Sequence, residues 1–438
     1  MNRVETYSEF DCLVPDKALE DPVRGICYCA SFNDLRDFVL SADAADGFFR
    51  YAKRRGLGEC ITLQNYVGTI RFADGKQLEI LPKICKGSEA ASGRARALVL
   101  EMLRCLRDAP FQVSGTAQLR TAQMSLLEVF IRMFLDEVQR LVRDGIRADY
   151  VSLRGNLNRG RGRILPAGQL RHNLLHPERL FCAYDEYLPD SAENRLVKAT
   201  MHTLLRQAGV YALQRDIHRL LAYFDDVSDT VAYAAEFARV RQDRNRREYS
   251  RLMEWARVFL LGKSFTNYAG TNHAQALLFP MERLFEDYVA HHVRRHFSAS
   301  GWQVTAQDCS AYLFENVENT EKRSFRLKPD LVLRCGEQTV VMDTKWKLLS
   351  RDQIKHFGVS QEDMYQMCTY AACFSASHVY LLYPRQEWMK CDTPVFRYSS
   401  SPTGATVTLF PLNWQVEKGM EASLQALNDD MAGSFPAC

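Results

Sequence analysis

Apolar and polar positions alternate differently in three stretches of the chain. Residues 32–54 carry helix-like spacing, and residues 61–70 and 78–81 then read as two short strands joined through the turn Ala73-Asp74-Gly75-Lys76. Helical periodicity returns over residues 95–106 and 124–143, with Gly145 placed to close the second helix. The segment YVSLRGNLNRGRGRIL, residues 150–165, is rich in glycine and arginine and reads as a loop at a domain boundary. Helical spacing dominates residues 194–261. The final third changes again: a helix over 281–297, alternating strands, and a further helix after Ser360. That order predicts an α/β (α+β) protein with a β-rich N-terminal module over 1–150, a helical middle over 151–270 and an α/β domain over 271–438.

Composition adds limits. At 438 residues the chain is long enough for two or three domains with cores of their own. The formal net charge of +3 is small, so any nucleic-acid site must come from local clustering of bases. The 13 cysteines are scattered, and no CxxC pair occurs, which argues against a zinc or disulfide framework and for buried thiols in a reducing compartment. The first residues, MNRVETYSEFDCLVPD, lack the apolar core of a signal peptide, and no run of about 18 apolar residues suggests a membrane span. The expected setting is cytoplasmic, with no membrane contact.

The segment KPDLVLRCGEQTVVMDTKWK, residues 328–347, carries the chemistry. It reads as two strands around the turn Cys335-Gly336-Glu337-Gln338, with Pro329 at the entry. Side chains at i and i+2 share a strand face, so Asp343 and Lys345 point the same way, and pairing of the strands brings Asp330 beside them. Two carboxylates suit Mg²⁺, which takes one or two of them and fills its shell with water and phosphate. Lys345 is placed to orient the attacking water or to neutralise charge on phosphorus, and the Thr344 carbonyl is a candidate extra ligand.

Pro329-Asp330 … Asp343-Thr344-Lys345 resembles the PD-(D/E)xK nuclease superfamily. The resemblance implies a restriction-endonuclease-like core, a further acid at Glu286 in PMERLFEDYV, and a functional pair at Gln366 and Tyr370 in QMCTY. NYVGTI, LEILPKI, LRGNLNRGRGRIL, CAYDEYLPDSAENRLVK and FPMERLFEDYV together resemble the McrC family, over roughly residues 60 to 385. This implies the nuclease subunit of a modification-dependent, type IV restriction complex directed at 5-methylcytosine. It also implies an AAA+ GTPase partner, an McrB-like hexamer, which binds the GTP and is contacted by the N-terminal part of the chain. Gly262-Lys263-Ser264 resembles the end of a P-loop, but the required first glycine falls at Arg257, so no nucleotide site is expected in this chain.

Each reading has a plainer alternative. Asp330, Asp343 and Lys345 could form a surface ion-pair cluster, although an acid after an apolar run is expensive to leave unpaired. Glu286 competes with Glu282 and Asp287, and Tyr370 could serve core packing with Gln366 as a cap. Arg154, Arg159, Arg161 and Arg163 suit DNA phosphates, or structural pairs with Asp185 and Glu186. Residues 238–251 read as one solvated helix, and His291, His292 and His296 lack metal-binding spacing. A stand-alone nuclease, a non-catalytic regulator of the motor and a subunit that itself recognises the target are the rival functions.

Overall fold

The structure is a computed structural model and describes residues 4–41, 47–72, 74–85, 89–106, 124–240, 247–261, 274–315, 323–389, 393–400, 404–414 and 417–434. The chain divides into two compact units interleaved in sequence. One comprises Met1–Val4, Ile70–Gln77 and Met124–Leu277, the other Glu5–Thr69, Leu78–Gln123 and Leu278–Cys438.

The first unit is mainly helical. Helix Leu126–Asp144 begins with a capping box, in which the Ser125 hydroxyl accepts from the Glu128 N–H and the Glu128 carboxylate accepts in return from the Ser125 N–H. Gly145 follows it with a φ of 96°, as the sequence predicts. Helices Ala192–Gln207, Tyr211–Leu221, Tyr233–Arg239 and Arg247–Leu261 complete the bundle. Asn194, in the motif AENRLVK, is fully buried. Its amide donates to the Arg147 and Pro189 carbonyls at 2.9 and 2.6 Å, and its carbonyl accepts from the Tyr249 hydroxyl at 2.7 Å. That motif residue is a structural lock, because each of its polar atoms is satisfied inside the core.

The expected loop over 150–165 is largely strand. Asp149–Leu157 pairs antiparallel with Leu180–Leu188 along its whole length, and Arg163–Ile164 pairs on the other side. The glycines and arginines gave the segment the look of a loop, although Val151, Leu153 and Leu157 alternate with Ser152, Arg154 and Asn156 as a strand requires. Similarly, the helix expected over 32–54 ends earlier: Phe32–Ser41 is helical, but Phe49–Arg54 is a strand paired with Gly58–Leu63. The single solvated helix expected over 238–251 is not continuous, because Tyr233–Arg239 ends at an extended Val240. Residues 241–246 and the Gly262-Lys263-Ser264 segment lie outside the described residues.

The second unit contains the sheets and helices relevant to function. In its N-terminal part, Ile26–Tyr28, Cys12–Val14, Gly58–Leu63 and Phe49–Arg54 form a four-stranded sheet in that order. Gln77–Leu81 lies between Val4–Ser8 and Tyr66–Phe72 in another. The expected strand over 61–70 is thus two strands. The C-terminal part is built on a six-stranded mixed sheet, ordered Gln303–Ala306, Leu331–Cys335, Gln338–Thr344, His378–Pro384, Thr406–Leu412 and Phe396–Ser399. Its middle pairs are parallel and its outer pairs antiparallel. Helix Gln361–Cys373 lies in the crossover between the parallel strands Gln338–Thr344 and His378–Pro384, as parallel neighbours require a long connection. Helices Met281–Ala299 and Glu417–Ser434 pack together, and the second also packs on Thr406–Leu412. No described helix is long and apolar enough to cross a membrane.

Candidate active site

The hairpin predicted from residues 328–347 forms in the expected register. Cys335 pairs with Gln338, leaving Gly336 and Glu337 as a two-residue turn in which Gly336 takes a φ of 55°. Leu331, Val332 and Leu333 and their counterparts Val340, Val341 and Met342 are all fully buried, as expected of central strands covered on both faces. Leu331 opposes Met342, so Asp330 and Asp343 flank the point where this apolar run ends. On the other edge Asp343 pairs in parallel with Leu381, and the Lys345 N–H continues the ladder to the Leu382 carbonyl at 2.9 Å. The backbone therefore fixes both carboxylates and the lysine before any side-chain contact is made.

Asp330 accepts through Oδ2 from the Thr344 N–H at 2.7 Å and from the Thr344 hydroxyl at 2.6 Å. Asp343 is 3% exposed, and its Oδ2 lies 2.7 Å from Lys345 Nζ. This close ion pair gives the buried Asp343 carboxylate its charged partner. Lys345 Nζ also donates to Gln366 Oε1 at 3.2 Å and stands 3.7 Å from Asp363 Oδ1. Gln366 passes the chain of contacts on, donating through Nε2 to the Tyr370 hydroxyl at 2.8 Å. Tyr370 is also part of the buried core, so the packing reading and the site reading hold together for it. The cap of this helix is Ser360, not Gln366.

Burial pushes the Asp330 carboxyl up to about 6, with the charge of Glu286 adding to it and the two Thr344 hydrogen bonds opposing. Burial likewise pushes Asp343 up to about 7, with Asp330 adding and Lys345 opposing. Lys345 is held above the ordinary lysine value: burial opposes its charge, but Asp343 beside it outweighs that. Glu286 lies on helix Met281–Ala299 and accepts from Gln307 Nε2 at 2.7 Å.

Three further residues belong to this constellation and were not anticipated. Asp363 is buried and accepts from Lys347 Nζ at 2.8 Å, and with Ser360 it closes the capping box of helix Gln361–Cys373. The spacing Ser360-x-x-Asp363 was a usable signal for it. Lys347 lies beyond the end of strand Gln338–Thr344, and a turn at Trp346 rather than strand alternation brings it to Asp363. Gln307 had no signal in the sequence. It sits at φ 52°, donates its N–H to the Asp330 carbonyl at 2.8 Å and binds Glu286 with its side chain, tying two of the acids together.

Among the described residues no group of three histidine, cysteine or acidic side chains is arranged to hold an ion. The four arginines of residues 154–163 are exposed and belong to the first unit. Arg161 pairs with Glu186 at 3.1 Å and covers the Tyr184 ring at 4.9 Å, while Arg154 and Arg163 both lie opposite Ala183.

The comparisons with known proteins agree with this architecture. The structure superposes on a chain of the refined half-complex from the tetradecameric assembly of Thermococcus gammatolerans McrB AAA+ hexamers with bound McrC. The TM-score is 0.69 at 18% identity, covering 98% of this chain and 100% of that one. At that identity the likeness concerns the fold. The Thermococcus gammatolerans McrBC complex solved by cryo-EM aligns over 67% of this chain and 88% of its own at 19% identity, with a TM-score of 0.46, and adds no argument. No curated protein matches the sequence. The family described as McrBC 5-methylcytosine restriction system component matches residues 61–384. That match spans most of the 438 residues, and the chain belongs to this family.

Proposed function

We propose that this chain is the DNA-cleaving subunit of an McrBC-type, type IV restriction complex: a Mg²⁺-dependent endonuclease of the PD-(D/E)xK kind that acts on double-stranded DNA. The observation that carries the reading is the meeting of Asp330, Asp343, Lys345 and Gln366 at one end of a buried mixed sheet. A salt-bridge cluster made for stability would not bury two neighbouring carboxylates so that both are held above their ordinary pKa.

The carboxylate oxygens are the kind of donor a hard divalent cation takes, although among the described residues no three acids are gathered to hold one. Burial raises the proton affinity of both carboxylates, with Glu286 adding at Asp330 and Asp330 adding at Asp343, so a cation would offset the negative charge gathered there. Asp330 and Asp343 are the residues to hold Mg²⁺, with the Thr344 carbonyl and Glu286 as further oxygen donors. Bound there, the ion supplies water of lowered pKa and offsets charge on the phosphate. Hydrolysis adds a water oxygen to phosphorus, breaks one P–O bond and returns a proton to the leaving oxygen. Lys345, held charged between Asp343 and Gln366, neutralises the charge that gathers on phosphorus and orients the attacking water. Gln366 and Tyr370 keep that ammonium in place. Arg154, Arg159, Arg161 and Arg163 are candidate phosphate contacts.

The partner in this reading is a hexameric AAA+ GTPase, as in the McrB assembly to which the fold is similar. The GTP belongs to that partner, and the N-terminal module of this chain contacts it and stimulates hydrolysis. The test is cleavage of methylated and unmethylated plasmid with Mg²⁺ and GTP, by this chain alone and with its GTPase, beside Asp343→Ala. Cutting only in the full mixture, lost in the variant, is the expected result. Cutting by the chain alone would make it an autonomous nuclease, and GTPase stimulation without cutting would make it a regulator.

A further inference from the structure

The chain turns sharply just after the candidate catalytic lysine. The Lys347 N–H donates to the Lys345 carbonyl at 2.9 Å, which places Trp346 at the apex of a three-residue turn. The two lysines flanking the apex share Asp363, while Trp346 itself is 2% exposed. Its polar atoms are not held by the nuclease sheet. The indole N–H donates to both carboxylate oxygens of Glu9, each at 3.1 Å, and the main-chain carbonyl accepts from Lys83 Nζ at 3.2 Å.

Glu9 and Lys83 come from the N-terminal part of the same compact unit. Glu9 directly follows strand Val4–Ser8, and Lys83 stands in LEILPKI, just beyond strand Gln77–Leu81. They are joined to each other, since the Lys83 N–H donates to Glu9 Oε1 at 3.1 Å. Glu9 is fully buried, and Lys83 also lies 4.4 Å from the Phe10 ring centroid. On its far side Trp346 packs against Phe285 at 5.1 Å, the neighbour of Glu286. A single buried indole thus touches the residue beside one candidate acid, carries the lysine on its own backbone, and is held by two charged residues some 260 and 337 positions earlier in the chain.

The geometry points to Glu9 and Lys83 as positioning residues that set Lys345 and Lys347 through Trp346, so that the seating of the N-terminal strands governs the cleavage site. The physical reason is leverage. A turn of three residues has little freedom, and both the side chain and the carbonyl of its apex are clamped, so a displacement of the clamp must move the lysine on one side or the other. A shift of about 1 Å in a catalytic group is enough to lower a rate about 10²-fold. A module placed to contact a motor would in this way report its seating directly to the nuclease. The inference rests on the nuclease reading for its catalytic consequence, though not for the clamp itself.

The experiment compares Glu9→Ala, Glu9→Gln and Trp346→Phe in the full chain, with and without the GTPase. Two readouts are taken: single-turnover cleavage over a range of DNA concentrations, and hydrogen exchange of the amides of residues 343–347. Glu9→Ala and Trp346→Phe should lower the cleavage rate about 10²-fold at unchanged half-saturating DNA, and should speed exchange at residues 344–347 but not at 338–342. Glu9→Gln keeps an acceptor for the indole and should recover the rate to within a few-fold. A purely structural role would lower stability without this rescue or this split between rate and DNA affinity. If Glu9→Ala fails to fold, Trp346→Phe retains a ring in the same space and decides alone. Wild-type cleavage and exchange in a folded Trp346→Phe protein would overturn the proposal. Should the wild type not cut at all, the nuclease reading fails, and exchange still decides whether the clamp orders the lysine turn.

Discussion

Asp330 and Thr344 are bound to each other twice, by main-chain N–H and by hydroxyl, across a hairpin whose closing turn lies at Gly336-Glu337. Both bonds favour the ionised carboxylate and oppose the effect of burial. Thr344→Val removes one of them while keeping the β-branched shape. The carboxyl, already near 6, should then bind its proton more tightly. A metal ligand must be deprotonated to act, so the acid limb of the cleavage pH profile should move to higher pH. The pH–rate curves of the two proteins check this, and coincident acid limbs would remove Asp330 from the metal-holding pair.

The same burial makes the site a weak point of the fold. A carboxyl raised from its ordinary value to about 6 holds its proton in the folded state over a range where the unfolded chain has released it. Stability from this group is therefore greatest at or below pH 4 and declines as pH rises through about 6, contrary to the usual paired carboxylate. Asp330→Asn keeps an acceptor for Thr344 and removes the repulsion from Glu286 and Asp343. At pH 7.5 without metal it should melt about 2–4 °C above the wild type, a gain of about 1 kcal/mol, while cutting no DNA. Calorimetry at pH 4 and pH 7.5 should find the gain at the higher pH alone.

Lys345 stands among Asp343, Asp363 and Gln366. Lys345→Met preserves the aliphatic stem and removes the charge, and should lower cleavage by about 10²–10³-fold. GTP hydrolysis by the assembled complex should be unaffected. A parallel loss of GTPase stimulation would instead identify the lysine as part of the partner contact.

Divalent metal should matter to the free protein as well as to cleavage. Saturating Mg²⁺ at about 100 times its dissociation constant raises the stability of the state that binds it by about 2.7 kcal/mol. A thermal shift with Mg²⁺ is expected for the wild type and not for Asp343→Ala. EDTA should stop cleavage, and added Mg²⁺ should restore it. An equal shift in both proteins would place the ion elsewhere.

Gly162 tests the small sheet of the first unit. It takes a φ of 68°, and a Cβ added there would lie 2.3 Å from the Ala183 carbonyl oxygen, against a backbone that cannot move aside. Gly162→Ala should destabilise the pairing of Arg163–Ile164 with Leu180–Leu188 by more than about 1 kcal/mol, read as faster amide exchange at residues 180–188. Unchanged exchange would mean that the short strand contributes nothing to the sheet.

Local patterns carried much of the site. The alternation around a Gly-Glu turn located the hairpin, period-2 geometry put Asp343 and Lys345 on one side, and helical spacing brought Gln366 beside Tyr370. Strand Asp149–Leu157 was harder to see, because its alternation of Val151, Leu153 and Leu157 with polar residues is short and interrupted by Gly155, and Leu153 and Leu157 are only half-buried. Gln307 and Trp346 were invisible for another reason. Their partners are set by tertiary folding, and nothing local in the sequence couples an indole to a glutamate 337 positions away.

That distance also orders events during synthesis. The largest segment of the first unit, Met124–Leu277, stands in the sequence between Glu9 and Lys83 on one side and Lys345 on the other. A growing chain therefore makes the anchor early and the Lys345–Lys347 turn only after the helical segment 124–277 has emerged. Helix Gln361–Cys373 and strand His378–Pro384, which hold the lysine from the other side, come later still. A polypeptide that ends within the helical unit contains both anchor residues, Glu9 and Lys83, and neither Trp346 nor the lysines that flank it, so the clamp is among the last long-range contacts the chain can complete.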